Sequence, residues 1–263
     1  MGLEDKLSAM PISAKQNRLS ITGRAAAIAA MFLISSQLAR AQDQALDDCE
    51  KAEIAADAVR ACTALLGKPG LDAAQRGQVL VFRGNGWLKE EEPAAAIDDF
   101  AAAIEINPKN IEAITGRALA HAILGEHEQA AKDWDIAIAS APSEESGYYH
   151  RGVSYVAAGK ANEAIADFNK VTEINPKNIE AFIGRAKAYD KLNDHEKALQ
   201  ELAAGIAIDK DYLPIHIARA EIADRWGETK LAVDSYLTAL RLNGMNLKAR
   251  QALQRLGVFT PPN

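Results

Sequence analysis

The chain has 263 residues and a net charge of −6 at neutral pH, with 48% apolar and 25% charged residues. A nucleic-acid partner is not expected, because the chain is acidic and lacks the stripe of basic residues that would neutralise phosphates.

Residues 1–41 are expected to be a secretory signal peptide. A basic segment precedes an apolar stretch at 25–34, and an A-x-A cleavage site ends at Ala41. The apolar stretch is shorter than the roughly 20 residues that cross a bilayer. Cleavage after Ala41 would therefore leave a periplasmic or secreted protein without a membrane span. Its net charge would be −9, because the removed segment holds five Lys/Arg and two Asp/Glu. An uncleaved membrane anchor and a start at Met10 remain alternatives.

The centre of the chain repeats with a period of 34 residues. The units are 77–110, 111–144, 145–178, 179–212 and 213–246. Position 7 of each unit is an arginine: Arg83, Arg117, Arg151, Arg185 and Arg219. Position 8 is glycine or alanine, position 20 is alanine, and position 24 is large: Phe100, Trp134, Phe168, Leu202 and Tyr236. Such a period is typical of a solenoid, whose units bury their core by stacking, and it favours binding over catalysis.

Each unit is predicted to be a pair of amphipathic helices. Apolar residues recur at helical spacing on either side of position 15, where glycine or asparagine permits the left-handed backbone that ends a helix. Glu91 occupies this position in the first unit, and a differently shaped turn is expected there. A second column, Pro108, Pro142 and Pro176, is expected to stop the second helix, because proline lacks a backbone donor. Small residues at positions 8 and 20 should let the two helices approach, with position 24 filling the wedge towards the next unit.

This pattern resembles the tetratricopeptide repeat family. The consensus W-x2-L-G-x2-Y…A-x3-F…P appears in the third unit as Tyr148, Gly152, Tyr155, Ala164, Phe168 and Pro176. The resemblance covers 77–246 and implies an all-α, right-handed superhelical α-solenoid of helix hairpins. Residues 247–263 are expected to add a capping helix with a polar outer face and a tail.

Residues 42–76 are interpreted as a degenerate N-terminal repeat and a linker, in the register of the following units. In that register Cys62 falls at position 24 and Cys49 at position 11, which the resemblance places opposite each other across a hairpin. A disulfide would replace an aromatic contact there, and export favours it. The alternative is a pair of buried thiols in a cytosolic protein.

The arginine column has two interpretations. Position 23 carries a carboxylate in four units: Asp99, Asp133, Asp167 and Glu201. A repeated arginine–carboxylate pair would brace each hairpin. The other interpretation, a basic ladder for an anionic ligand, is disfavoured by this acidic column.

The resemblance also implies a concave groove lined by positions 2, 5, 9 and 12 of the first helices. The candidate partner-binding residues are Asn85, Leu119, Tyr149, Val153, Val156, Ile183 and Lys187. The middle of the groove is apolar and suits an extended or helical peptide, whereas its C-terminal end, with Asp190, Glu221 and Asp224, is expected to be acidic. Alternatively, the cap or a tighter curvature covers these positions. The carboxylate clamp of tetratricopeptide co-chaperones is not expected, since only Asn85 matches it and Val81, Gly116, Ser146 and His150 do not.

No catalytic, metal or cofactor site is expected. The five histidines are scattered without metal-ligand spacing, and neither a nucleophile elbow nor a phosphate-binding loop is present. The predicted function is an exported scaffold or adaptor for a protein or peptide. The alternatives are an accessory subunit of a secretion or cell-envelope enzyme complex, and a cytosolic or membrane-tethered adaptor.

Overall fold

The computed structural model describes residues 40, 41 and 43–258. The predicted signal peptide lies outside these residues except for 40 and 41, and residues 259–263 of the predicted tail also lie outside them. The described residues form thirteen α-helices and no strand, which confirms the all-α prediction. The helices are α1 (43–50), α2 (Ala55–Leu66), α3 (Ala73–Lys89), α4 (Pro93–Ile106), α5 (Ile111–Ile123), α6 (His127–Ser140), α7 (Glu145–Ala157), α8 (Ala161–Ile174), α9 (Ile179–Lys191), α10 (His195–Ile208), α11 (Leu213–Arg225), α12 (Thr229–Leu242) and α13 (Leu247–Arg255).

The helices form hairpins that stack in chain order. Consecutive helices from α2 to α13 pack against each other. The second helix of every unit begins at position 17, and the first helix ends at position 13. Two first helices and the capping helix α13 begin after an asparagine: the side chains of Asn110, Asn178 and Asn246 accept from the third backbone N–H of the helix at 2.9–3.1 Å. Such caps satisfy a backbone donor that the helix itself leaves unpaired.

The wedge between units is filled as the columns predict. The ring of Phe100 lies between Gly84 of its own unit and Gly116 of the next, where an added Cβ would stand 2.7 Å and 2.5 Å from the ring. Phe168 is held in the same way by Gly152 and Gly184, with corresponding distances of 3.0 Å and 2.4 Å. Both phenylalanines are fully buried. Glycine is therefore required here for closeness of approach, not for backbone freedom.

The prediction of a different turn at Glu91 is wrong. Glu91 takes a left-handed φ of 60°, as does Asn193 in the fourth unit. The closing bond is also the same: Glu92 N–H donates to Trp87 O at 2.9 Å, and Asp194 N–H donates to Tyr189 O at 2.9 Å. The helices on both sides fix the turn, so glutamate accepts a backbone conformation that costs an L-residue about 1–2 kcal/mol.

The bracing role of the arginine column is confirmed. The Nε and Nη2 atoms of Arg83, Arg117 and Arg151 donate to both oxygens of the carboxylate at position 23, at 2.6–2.9 Å. Arg185 holds Glu201 at 2.6 Å and 3.0 Å. In the fifth unit the only hydrogen-bond partner of the Arg219 side chain among the described residues is the hydroxyl of Ser235, at 2.9 Å, and burial lowers the pKa of Arg219.

Three of these arginines also bond to the preceding second helix. Arg83 Nη1 donates to Thr63 Oγ1 of α2 at 3.2 Å. Arg151 Nη1 donates to Asp135 of the preceding second helix at 2.6 Å. Arg185 Nη1 donates to Asn169 of the preceding second helix at 2.8 Å. Each guanidinium therefore ties three helices together, which the sequence columns did not reveal.

The two ends of the solenoid close differently. A disulfide joins Cys49 of α1 to Cys62 of α2, in a small core that includes Leu65 and Val79. At the other end, Ala249 and Leu253 of α13 pack in a core with Tyr236 of α12. No helix among the described residues has the length and apolar character needed to cross a membrane.

Candidate functional site

The first helices line the inner side of the stack. The backbones of α3 and α5, of α7 and α9, and of α9 and α11 come close to each other. Within the described chain, second helices of neighbouring units show no comparable approach. Stacked units whose first helices lie closer together must curve towards that side. The concave face is therefore the face of α3, α5, α7, α9 and α11.

An apolar stripe crosses the middle of this face. Leu119 and Ile123 on α5 are 39% and 62% exposed, and Val153 on α7 is 44% exposed. Val156 and Tyr149, also on α7, are half-buried beside them. We call these five residues the apolar stripe. All of them except Ile123 stand at groove positions of the family, and Ile123 lies one turn beyond Leu119 on the same helix.

The stripe lies where two first helices stand apart. The close approach made by the other first-helix pairs is lacking between α5 and α7. Here the wedge residue is Trp134, and the next unit presents His150 in place of a glycine, so the two rings stack with centroids 4.8 Å apart. Burial lowers the pKa of His150, which keeps the imidazole neutral in this stack. The bulky pair widens the junction and leaves Leu119 and Val153 open to solvent.

The assignment of Ile183 to the groove surface needs correction. Its side chain is only 4% exposed. It belongs to a core cluster with Leu202 of its own unit and Ile215 of the next. Because α9 and α11 approach each other closely, position 5 is closed there, whereas the wider junction at α5 and α7 leaves the apolar surface accessible.

The other candidate residues lie at the two ends of the stripe. Asn85 on α3 is half-buried and donates to Glu112 of α5 at 3.2 Å, so its amide is engaged within the protein. Lys187 on α9 is exposed and lines a cleft of about 460 Å³ together with Val156, Ala218 and Ile222. Lys187 is thus joined to the stripe through Val156, whereas Asn85 contributes to a polar contact at the N-terminal side.

The acidic C-terminal end that the sequence predicts is neutralised in the structure. Asp190 is buried and pairs with Arg225, and it also accepts from Trp226 Nε1 at 2.8 Å. Farther along, Glu221 pairs with Lys248 and Asp224 pairs with Arg255. Each partner comes from the next unit or from the cap, about 30 residues away in the chain. A count of acids along one helix therefore gives the wrong electrostatic character for this face.

The carboxylate of Glu180 and the hydroxyls of Tyr149 and Tyr212 form a polar border at the edge of the stripe. Glu180 accepts a short hydrogen bond from the hydroxyl of Tyr212, which raises the pKa of Tyr212 to about 12. Burial raises the pKa of Tyr149, and the charge of Glu180 adds to that effect. Tyr149 also packs edge-on against Phe168, with ring centroids 6.0 Å apart. These contacts fix the ring of Tyr149 as a rigid wall of the groove.

The cap does not cover the stripe. Helix α13 packs against α12 and makes its ion pairs with Glu221 and Asp224 of α11. The stripe lies on α5 and α7, where Leu119, Ile123 and Val153 stay exposed. Among the described residues, no group of three or more His, Cys, Asp or Glu side chains is placed to hold a metal ion. The geometry therefore offers an open apolar groove with a polar border.

Comparison with known proteins agrees with this architecture. Two tetratricopeptide repeat family models match residues 115–179 and 155–222. The small glutamine-rich tetratricopeptide repeat-containing protein 2 of Saccharomyces cerevisiae is 30% identical over 135 residues, which make up 51% of this chain and 37% of that protein. The chain thus spans little more than a third of this curated relative.

Two solved structures share the fold. A tetratricopeptide repeat protein from Parabacteroides merdae aligns with a TM-score of 0.66 at 18% identity, over 84% of this chain and 92% of that one. YrrB, a TPR protein with an unusual peptide-binding site, aligns with a TM-score of 0.52 at 15% identity, over 74% and 99% of the two chains. The repeat columns, the hairpin stack and these matches together show that residues 115–222 belong to the tetratricopeptide repeat family and that the described chain shares its fold.

Proposed function

We propose that this protein is an exported, non-catalytic adaptor that binds a peptide segment of a protein partner along the apolar stripe. The exposure of Leu119, Ile123 and Val153 on two adjacent first helices carries the proposal. A contiguous apolar surface bordered by polar side chains marks a contact site more often than an unused face. A concave face lined by helices suits an extended or helical peptide, whose alternate side chains reach the floor.

The rigidity of the groove supports the same function. The stripe stands on helices whose spacing is set by the Trp134–His150 stack. A preformed groove binds a peptide without an ordering cost of its own, so the affinity depends mainly on the peptide.

Selection of a random dodecapeptide library on the protein tests the groove. We expect peptides with spaced apolar residues whose affinity falls at least tenfold in Val153→Asp, because the new charge would be desolvated beneath them. The matched control is Ile136→Asp, on the second helix α6, where the native side chain is 46% exposed. Binding that survives Val153→Asp and Leu119→Asp but is lost in Ile136→Asp would place the site elsewhere.

The proposal of export rests on the leader sequence and on the Cys49–Cys62 disulfide, since disulfides persist in oxidising compartments. The intact mass of the protein from the cell envelope of its native host, without reductant, tests it. We expect a mass that begins at Gln42 and lies two hydrogens below the dithiol form. A full-length mass with free thiols would exclude this part of the proposal.

A further inference from the structure

The C-terminal continuation of the stripe carries a charge that the protein itself does not neutralise. The cleft of about 460 Å³ is formed by α7, α9 and α11, with Val156 at its border to the stripe. Lys187 and Lys191 stand in it one helical turn apart on α9. Both side chains are exposed, and neither forms an ion pair or hydrogen bond with any described residue.

The surrounding acids are already occupied. Asp190, between the two lysines in sequence, is bound to Arg225 and Trp226. Glu221, on the opposite wall of the cleft, is bound to Lys248 of the cap. Glu180 accepts from Tyr212. Each of these three acids therefore has a partner from outside its own helix.

We propose that Lys187 and Lys191 form a subsite for an acidic side chain of the bound peptide, one that follows the apolar residues seated on the stripe. This inference rests on the proposed function. An Asp or Glu carboxylate would meet two uncompensated ammonium groups beside the apolar surface of Val156, Ala218 and Ile222. Hydrogen bonds between charged groups are about twice as strong as neutral ones, and an adjacent apolar wall limits solvent screening.

The carboxylate is assigned to a side chain because the groove does not end at this cleft. The face of α11 continues beyond it to α13, so the backbone of a bound peptide can pass the lysines. The register of the partner follows from this arrangement: apolar residues lie against α5 and α7, and an acidic residue lies against α9.

The test uses amidated synthetic peptides taken from the library selection. Each acidic peptide is compared with its Asn or Gln counterpart on the wild type and on the double variant Lys187→Gln/Lys191→Gln. We expect the exchange to weaken binding about tenfold on the wild type and to have no effect on the double variant. Lys132→Gln, on the second helix α6, is the matched control and should bind as the wild type does.

The outcomes separate this subsite from the groove itself. The subsite would be overturned if the exchange weakened peptide binding equally on the wild type and the double variant. It would also be overturned if the selected peptides contained no acidic residue. Peptides that bind only with a free C-terminal carboxylate would overturn the assignment to a side chain. If every peptide still binds the Val153→Asp variant, the groove proposal fails. If Val153→Asp weakens binding but the lysine substitutions do not, only the subsite is excluded.

Discussion

At the scale of single residues, the strongest determinants are the position 7 arginines. The sequence showed that an arginine and a carboxylate recur 16 positions apart, and this spacing was enough to predict the pair inside each hairpin. It could not show the second bond to the preceding unit, because the acceptors Thr63, Asp135 and Asn169 are three different residue types. The column is therefore structural within the hairpin and also between hairpins.

Arg151→Ala should lower stability without altering peptide binding. It leaves Asp167, whose side chain is 6% exposed, without its charged partner, and we expect a loss of about 3 kcal/mol in the free energy of unfolding. Chemical denaturation measures the loss. Arg151→Met combined with Asp167→Leu should lose much less, because no buried charge remains unpaired. Weaker binding at an unchanged melting temperature would instead favour the anionic-ligand interpretation.

Glu91→Gly should stabilise the protein by about 1 kcal/mol, since Glu91 holds a φ of 60° that glycine adopts freely. The matched control is Glu90→Gly in the same turn. Glu90 has an ordinary φ of −83°, so glycine there only adds freedom to the unfolded chain and should destabilise. The melting temperatures of the two variants test this prediction. A higher melting temperature for Glu90→Gly, with no increase for Glu91→Gly, would contradict it.

At the scale of helices, the distance between neighbouring first helices depends on which side chain fills the wedge between their units. Phenylalanine at position 24 requires glycine at position 6 of the next unit, as at Gly116 and Gly184. Where Trp134 meets His150, the first helices part and the stripe opens. The columns at positions 8, 20 and 24 predicted the hairpins, because each requirement repeats. The opening at α5 and α7 was not predictable from them, because it depends on a single exception.

Gly184→Ala should cost about 1–3 kcal/mol of stability, because the new Cβ would stand 2.4 Å from the ring of Phe168. Gly77→Ala, also inside a first helix, should gain up to about 1 kcal/mol, since its nearest neighbour is Ile106 at 3.5 Å. Phe168→Leu should restore part of the loss at Gly184. Urea denaturation measures the change in the free energy of unfolding for all three variants. Equal changes for Gly184→Ala and Gly77→Ala would show that the contact with the Phe168 ring does not limit the size of residue 184.

At the scale of the whole molecule, a stacked array has local stability, since each unit contacts only its neighbours. The electrostatic character of the groove depends on these contacts between neighbours, because Asp190–Arg225 joins two adjacent units and Asp224–Arg255 joins the last unit to the cap. This is why the charge around α9 and α11 could not be predicted from the acidic residues of one helix alone. Burial of Ile183 has the same origin in contacts between units.

Reduction of the Cys49–Cys62 disulfide should destabilise the N-terminal end selectively. The bond closes a loop of 13 residues, and its loss corresponds to about 3 kcal/mol on the chain-entropy model. Hydrogen exchange should therefore increase in α1 and α2, while α9 to α13 keep their protection. A uniform loss of protection along the chain would show that the array unfolds as one unit.

The most direct test of the central claim is to map where a selected peptide lies. A library-derived peptide carrying a photoreactive diazirine side chain is cross-linked to the protein, and the sites are identified by mass spectrometry. We expect cross-links on α5 and α7 around Leu119 and Val153. These cross-links should disappear when excess unlabelled peptide competes for the site. Competed cross-links confined to the second helices, such as α6 or α8, would contradict the assignment of the concave apolar stripe as the binding site.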